Sequence, residues 1–159
     1  MDDAVSAIKA TRRCVVFTGA GSSADSGIGT FRGADGAWSG VTGALALFWG
    51  GTPIGWRWTP GIVWSRFVRD FYGPIAAAAP HDGLAALAEL QERRFGERMQ
   101  FVTMNVDGLH QAAGSRHVSE VHGSVTRFRC MSCEAPVEPE LPLSAASQPR
   151  CACGGRVRP

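Results

Sequence analysis

Asn105, Asp107 and His122 set an amide, a carboxylate and an imidazole in two short stretches of chain, TMNVDGLH at Thr103 to His110 and EVHG at Glu120 to Gly123. Such groups orient a polar ligand and move protons. Histidine, with an ordinary pKa of about 6.5, suits the base's role near neutral pH. A third stretch, Thr18 to Arg32, reads TGAGSSADSGIGTFR. Its Gly19-Ala20-Gly21-Ser22-Ser23-Ala24 fits the pattern G-x-G-x-x-G/A directly after an apolar run, so small residues let the backbone approach a pyrophosphate while the next helix turns its N-terminus toward the charge. The acidic residue that dehydrogenases carry about 20 positions further on is not evident, which counts against hydride transfer.

Each of these residues also has a plainer reading. A tight strand-to-helix turn explains the glycines without a ligand, His122 before Gly123 suits a capped surface histidine, and Asp107 before Gly108 suits a helix N-cap. His110 reads as structural, and His81 and His117 as ordinary.

The cysteines speak for metal. Of five, Cys130, Cys133, Cys151 and Cys153 form two tight pairs, Cys-x-x-Cys and Cys-x-Cys-Gly-Gly. This is close to a two-knuckle zinc ribbon, in which four thiolates hold Zn²⁺ in a closed, structural site. The second pair is one residue shorter than the usual Cys-x-x-Cys, so a strained or weaker second knuckle is expected. Cys14 reads as a small buried hydrophobe.

Placing these groups requires a layered scaffold. Asp2 to Thr11 has helical spacing of Val5, Ile8 and Lys9 and leads into CVVFTG at Cys14 to Gly19, which reads as a buried parallel strand delivering the glycine turn. Residues 33–59 are rich in Gly and Trp and lack periodicity, as loops and short helices over a cleft would be. Gly61 to Tyr72 is helical in spacing, with Gly73-Pro74 predicted to stop it. Asp82 is the predicted N-cap of a helix with Leu84, Leu87, Ala88 and Leu90 on one face. Met99 to Met104 and His117 to Gly123 read as further strands, each with polar residues at its carboxyl end, where open α/β sheets hold ligands. From Thr126 short β-like pieces and a Pro- and Ser-rich insert take over. The expected fold is α/β: a partial doubly wound, Rossmann-like parallel sheet over 1–125 with a cleft insert at about 33–80, and a small zinc-ribbon module over 126–159.

Composition narrows the classes. The chain of 159 residues is 45% hydrophobic with a net charge of +2, enough for one ordinary core and no electrostatic case for nucleic acid or an anionic membrane. Arg127, Arg129, Arg150, Arg156 and Arg158 lack interleaved aromatics apart from Phe128. No apolar stretch reaches the roughly 20 residues of a membrane span. With no leader-like start, the cysteine pattern points to a cytoplasmic protein.

Ser26-Gly27-Ile28-Gly29-Thr30-Phe31-Arg32, with Gly36 and Trp38, is similar to the NAD signature of the sirtuins, GAGIS..SGIP.FR. PHDGLAALAEL, TMNVDGLHQAAG, VSEVHGSVTRFRC and CGGRVRP follow in family order and near family spacing, so the resemblance covers almost all of the chain. It implies NAD-dependent removal of acyl groups from the lysines of protein substrates, with release of nicotinamide, NAD as co-substrate and zinc as a staple. By that resemblance His122 is the general base for a ribose hydroxyl, and Asn105 orients the ribose and a water. Asp107 and the backbone around Ile28 grip the nicotinamide carboxamide, Phe31 shields the reactive face, and Arg32 pairs with phosphate or ribose. Gly19, Ala20, Gly21, Ser22, Thr30, Trp38, Met104 and Val106 complete the implied NAD pocket.

Departures from the family pattern leave alternatives open. Met104 replaces the family glutamine, exchanging an amide for a thioether that hardly hydrogen-bonds. Thr30 replaces the common aspartate, as in the branch preferring succinyl and malonyl groups, yet that branch's Tyr-x-x-Arg is missing; Phe67 and Asp70 stand there, with Arg66 or Arg69 as substitutes. The family pattern continues past GGRVRP, implying a sheet edge that a partner or second copy covers. Beside a deacylase stand a catalytically impaired remnant that binds NAD or a partner, and mono-ADP-ribosyl transfer.

Overall fold

The computed structural model describes residues 2–29 and 52–159. Contacts divide the chain into two compact units, one of residues up to Ser26 with Ala79–His122, the other of Gly27–Ala78 with Gly123–Pro159. The segment read as a cleft insert thus groups with the cysteine-bearing end of the chain.

In the first unit α1 (Asp2–Ala10) leads to β1 (Cys14–Thr18), which pairs in parallel with β2 (Met99–Thr103), which in turn pairs in parallel with β3 (Val118–Glu120). The order β1-β2-β3 puts β2 in the middle. β2 alternates strictly on one face, with Met99, Phe101 and Thr103 buried and Gln100 exposed. Phe95, Met99 and Phe101 form the core, with Cys14, Val16, Leu87, Leu90 and Val118 against them. Burying each large side chain contributes about 1.5–3 kcal/mol. β1 corrects the sequence expectation of a fully buried strand, because the core lies against Cys14 and Val16 only, while Val15 and Phe17 are 66% and 63% exposed.

The helix between β1 and β2 also differs in its start. It spans Asp82–Leu90 (α5, after three helices of the second unit), and its N-cap is His81, not Asp82. The His81 ring accepts a hydrogen bond from Gly83 N and so does what Asp or Ser usually does. A π-helical turn, Gln91–Phe95, extends the helix and swings Gln91 inward. Gln91, only 3% exposed, donates to the carbonyls of Met99 and Arg116 and accepts from Arg116 N, tying the start of β2 to the turn before β3.

The second unit holds α2 (Pro53–Trp58), α3 (Pro60–Arg66), a π-helical turn (Phe67–Tyr72) and α4 (Gly73–Ala77). Gly73-Pro74 was expected to end the helix there, yet helical backbone runs on to Ala77. The π-turn shifts the hydrogen-bond register, with Gly73 N donating to Val68 O, and Pro74 falls in the first turn of α4, where its missing N–H costs little. β4 (Phe128–Cys130) pairs antiparallel with β5 (Pro136–Val137) and β6 (Val157–Arg158). Trp64, 1% exposed, is this unit's anchor: its indole N–H donates to Ser144 O at 2.9 Å, and its ring lies 5.5 Å from Phe67 and 6.3 Å from Phe128.

Candidate functional site

β1 and β2 end side by side, with Thr18 paired to Thr103, and Met104 N donates to Thr18 O to keep the two loops together. Beyond β1 the chain makes a 3-10 helix, Ala20–Ser26, where the sequence suggested an ordinary helix N-terminus. Ser22 folds it back, its N–H and hydroxyl both donating to Gly19 O at 2.9 and 2.8 Å. The β3 end joins the same edge through Val121 N, which donates to Thr103 O.

Into this edge the sequence delivers a connected polar network. Asn105, 5% exposed, is aimed by its own N–H, which donates to Thr103 Oγ1. Its side-chain NH₂ faces Ser23 Oγ at 2.8 Å, Gly19 O at 3.0 Å and Ser22 Oγ at 3.2 Å. Three acceptors around one NH₂ fix the amide's orientation, leaving Oδ1 as a free acceptor among the described residues. Ser23, 3% exposed, passes the chain on, donating to Asp107 Oδ2 at 2.6 Å. The short distance suits a hydroxyl donating to an ionised carboxylate. Asp107 Oδ1 accepts from Leu109 N just ahead of α6 (Leu109–Ala112), but the helix N-cap is Gly108, not Asp107 as the sequence suggested, because the chain turns through Gly108 before the helix begins. Gly108 between them sits at φ +72°, a conformation other residues rarely adopt.

Beneath lies His110, 3% exposed, its Nε2 sharing a 2.9 Å hydrogen bond with Thr18 Oγ1 and its ring 5.0 Å from Phe101. Burial lowers its pKa below the ordinary 6.5, against the opposing pull of Asp107. His110 is therefore a neutral, structural group. His81 proves to be more than an ordinary histidine: its Nε2 donates to Ser22 O and its backbone N–H to Ser26 Oγ, strapping α5 to the glycine turn.

The structure brings Gly19, Ala20, Gly21, Ser22, Met104, Asn105, Val106, Asp107 and His122 to the carboxyl edge of one sheet. His122 is exposed, following β3, and its ring makes no hydrogen bond among the described residues. Met104 is 42% exposed, and its methyl lies 3.1 Å from where a Cβ on Gly19 would stand. Ile28 belongs to the second unit. Thr30, Phe31, Arg32 and Trp38 lie outside the described residues. Ser23 is the residue the sequence reading passed over, although the serine of the GAGIS signature falls on it.

The four paired cysteines meet. Their sulfurs all lie within 4.8 Å of one another, with Cys130–Cys153 and Cys133–Cys153 at 3.5 Å and Cys133–Cys151 at 3.8 Å. A Zn–S bond of about 2.3 Å spaces the sulfurs of a tetrahedral site by about 3.8 Å, so the set fits Zn²⁺ and leaves no position open for catalysis. Cys130 ends β4, in a hairpin held by Cys130 N to Ala135 O, and the shorter pair is closed by Gly154 N to Cys151 O. The N–H groups of Cys133 and Ser132 bring the Cys130 thiol down to about 6. The Gly155 N–H pulls Cys153 the same way, yet the neighbouring sulfurs push it up to about 12. Crowded thiols resist shared ionisation in this way, and a divalent cation removes the conflict. Gly155 has no room for a side chain, since a Cβ there would lie 2.5 Å from Cys130 Sγ.

A parallel sheet with a glycine turn and a polar network at its carboxyl edge, joined in one chain to a four-cysteine cluster, defines a Rossmann-like α/β protein with a cysteine set suited to a structural metal. Residues 19–159 match the Sir2 family. The chain belongs to that family. It is similar to NAD-dependent protein deacylase 2 of Pyrobaculum aerophilum, 41% identical over 96% of this chain and 58% of the relative. It also resembles the NAD-dependent protein deacylase of Corynebacterium glutamicum, 36% identical over 100% and 62%. Among solved structures, a Sir2 homolog–NAD complex superposes with a TM-score of 0.81 at 34% identity, covering all of this chain and 60% of that one. A Sir2–p53 peptide–NAD⁺ complex gives 0.74 at 30% identity, covering 100% and 62%. The chain thus spans about three-fifths of the length of these relatives.

Proposed function

We propose that this chain carries the site of an NAD-dependent protein-lysine deacylase. The observation that carries the reading is the Asn105–Ser23–Asp107 network at the sheet's carboxyl edge, in a family whose relatives bear that activity in their names. In the proposed reaction the acyl oxygen of a modified lysine attacks the ribose carbon bearing nicotinamide, and nicotinamide leaves. Within this chain, Gly19, Ala20, Gly21 and Ser22 let phosphate approach the backbone, and Asn105 Oδ1 accepts from a ribose hydroxyl or a water. Asp107, with Met104 and Val106, completes the part of the pocket carried by this sheet edge. His122 takes the ribose hydroxyl proton, a task permitted by its exposure and by a ring without a hydrogen bond among the described residues. Cys130, Cys133, Cys151 and Cys153 hold the structural zinc.

Residues 1–125 with the insert at 33–80 are the proposed nucleotide-binding part, and 126–159 the zinc module. The substrates are acylated lysines of proteins, and the compartment is the cytoplasm, where thiols stay reduced for metal. No helix among the described residues is long and apolar enough to cross a membrane. A second reading, a module that binds NAD or a partner without turnover, is favoured by the exposed Met104 thioether beside Gly19. The two readings separate on peptide-dependent turnover. Acetyl-lysine and succinyl-lysine peptides offered in parallel to the zinc-loaded chain should yield deacylated product and 2′-O-acyl-ADP-ribose. Tight NAD binding with no such product would favour the second reading.

A further inference from the structure

The amino edge of the same sheet carries a second concentration of charge. Arg12 and Arg13 immediately precede β1, and Arg98 immediately precedes β2, opposite in the strands to the glycine turn and Asn105. A hollow of about 240 Å³ opens there, lined by Lys9, Thr11, Arg12, Arg94, Phe95 and Arg98. Four of these are cations, in a chain whose net charge is only +2. None of the four makes an ion pair among the described residues, because the nearby carboxylates are engaged elsewhere: Glu89 holds Arg93 at 2.8 Å, and Glu92 faces Arg116 at 3.4 Å. Glu97, between Gly96 and Arg98, pairs with none of them.

Two of the four cations, Arg94 and Arg98, are held in place. The Arg94 guanidinium donates to the carbonyls of Ile8 and Lys9 at the end of α1, and lies 5.1 Å above the Phe95 ring. Arg98 Nε donates to Phe95 O and its NH₂ to Arg94 O. Guanidinium groups held this way lose little side-chain freedom when they meet an anion, and their fork of donors matches phosphoryl oxygens. Uncompensated like charges around one hollow repel each other, and a multiply charged anion relieves that repulsion. At about 30 Å³ per water in the liquid, the hollow has room for a di- or triphosphate.

We propose that the hollow bounded by Lys9, Arg12, Arg94 and Arg98 is a binding site for a phosphoryl anion, free or as an ester, separate from the NAD site. Lys9→Gln with Arg12→Gln removes two of its cations without breaking any hydrogen bond described above. Inorganic phosphate, tripolyphosphate and phosphoserine are titrated into the ¹⁵N-labelled, zinc-loaded chain at constant ionic strength and saturating NAD, and amide shifts are followed. The expected result is saturable shifts at residues 9–13 and 94–99, tightest for tripolyphosphate and about tenfold or more weaker in the double variant. Saturation by phosphoserine as well as phosphate would mean that the site accepts esters. Shifts unchanged by the double variant, shifts confined to residues 19–26, or shifts that chloride reproduces would each overturn the proposal.

Discussion

The glycine-turn edge and the cysteine cluster solve opposite problems with polar groups. At the edge the donors of Asn105 and Ser23 have found protein acceptors: Asn105 is met by Gly19 and Ser23, and Ser23 by Asp107, which also accepts from Leu109 N–H. This network stands without a ligand, and among the described residues His122 and Asn105 Oδ1 are left over for chemistry. The cysteine cluster is the reverse, four sulfurs within 4.8 Å whose proton affinities conflict until a cation joins them. On this account the edge is stabilised by hydrogen bonds and core, and the cysteine module by metal.

That contrast breaks most visibly by removing the metal. Chelation of the loaded chain, or Cys151→Ser, should unfold the cysteine module, since structural zinc contributes on the order of 10 kcal/mol to such folds. Trp64 fluorescence reports it, as Phe128 packs on that indole. Amide exchange at Phe101 and Thr103, in the other unit's sheet, should stay slow.

Next in size, Gly155→Ala should lower zinc affinity about 10–100-fold by forcing a methyl against Cys130 Sγ, measured by competition with a chromophoric chelator. The Asn105 edge should be untouched.

On the other side of the comparison, Asp107→Ala strands the Ser23 hydroxyl and the Leu109 N–H and should cost about 2 kcal/mol in urea unfolding. Asp107→Asn, which keeps an acceptor oxygen, should cost less. Zinc affinity should not change in either variant.

A smaller effect follows from His110. Its folded-state pKa is held below 6.5, so once pH falls under 6.5 the unfolded chain binds the more protons and folding loses stability. The contribution is fully present above that value and disappears as pH drops through the folded pKa. Melting temperature should fall between about pH 8 and pH 5 more steeply for the native chain than for His110→Leu. Equal slopes would mean that His110 is not held neutral by burial.

Much of this was legible in the sequence where one physical pattern dominated. The apolar run marked Met99 to Met104 as a strand, though not which of its residues face the core, and the cysteine spacing announced a cluster that the shorter Cys151-x-Cys153 pair does not prevent. Burial of β1 was overread, because an apolar run such as CVVFT looks the same whether one face or both are covered. Pro74 was misread as a helix stop, since a π-turn before it moves the hydrogen-bond register. Histidine at an N-cap is uncommon, so His81 passed for an ordinary residue until its ring was seen to meet Gly83 N and Ser22 O. Ser23 acts through Asp107, 84 residues on, and Gln91 through Met99 and Arg116, 8 and 25 residues on, relations that spacing along the chain does not encode.

The central claim, that the preformed edge is a deacylase site with His122 as its base, rests most directly on nicotinamide release from NAD by the zinc-loaded chain, with and without acyl-lysine peptide. His122→Ala should leave stability within about 0.5 kcal/mol, since the ring is exposed and makes no hydrogen bond among the described residues. The account predicts release that depends on peptide and is lost in that variant. Release that survives His122→Ala, or none from folded, zinc-loaded protein, would contradict it.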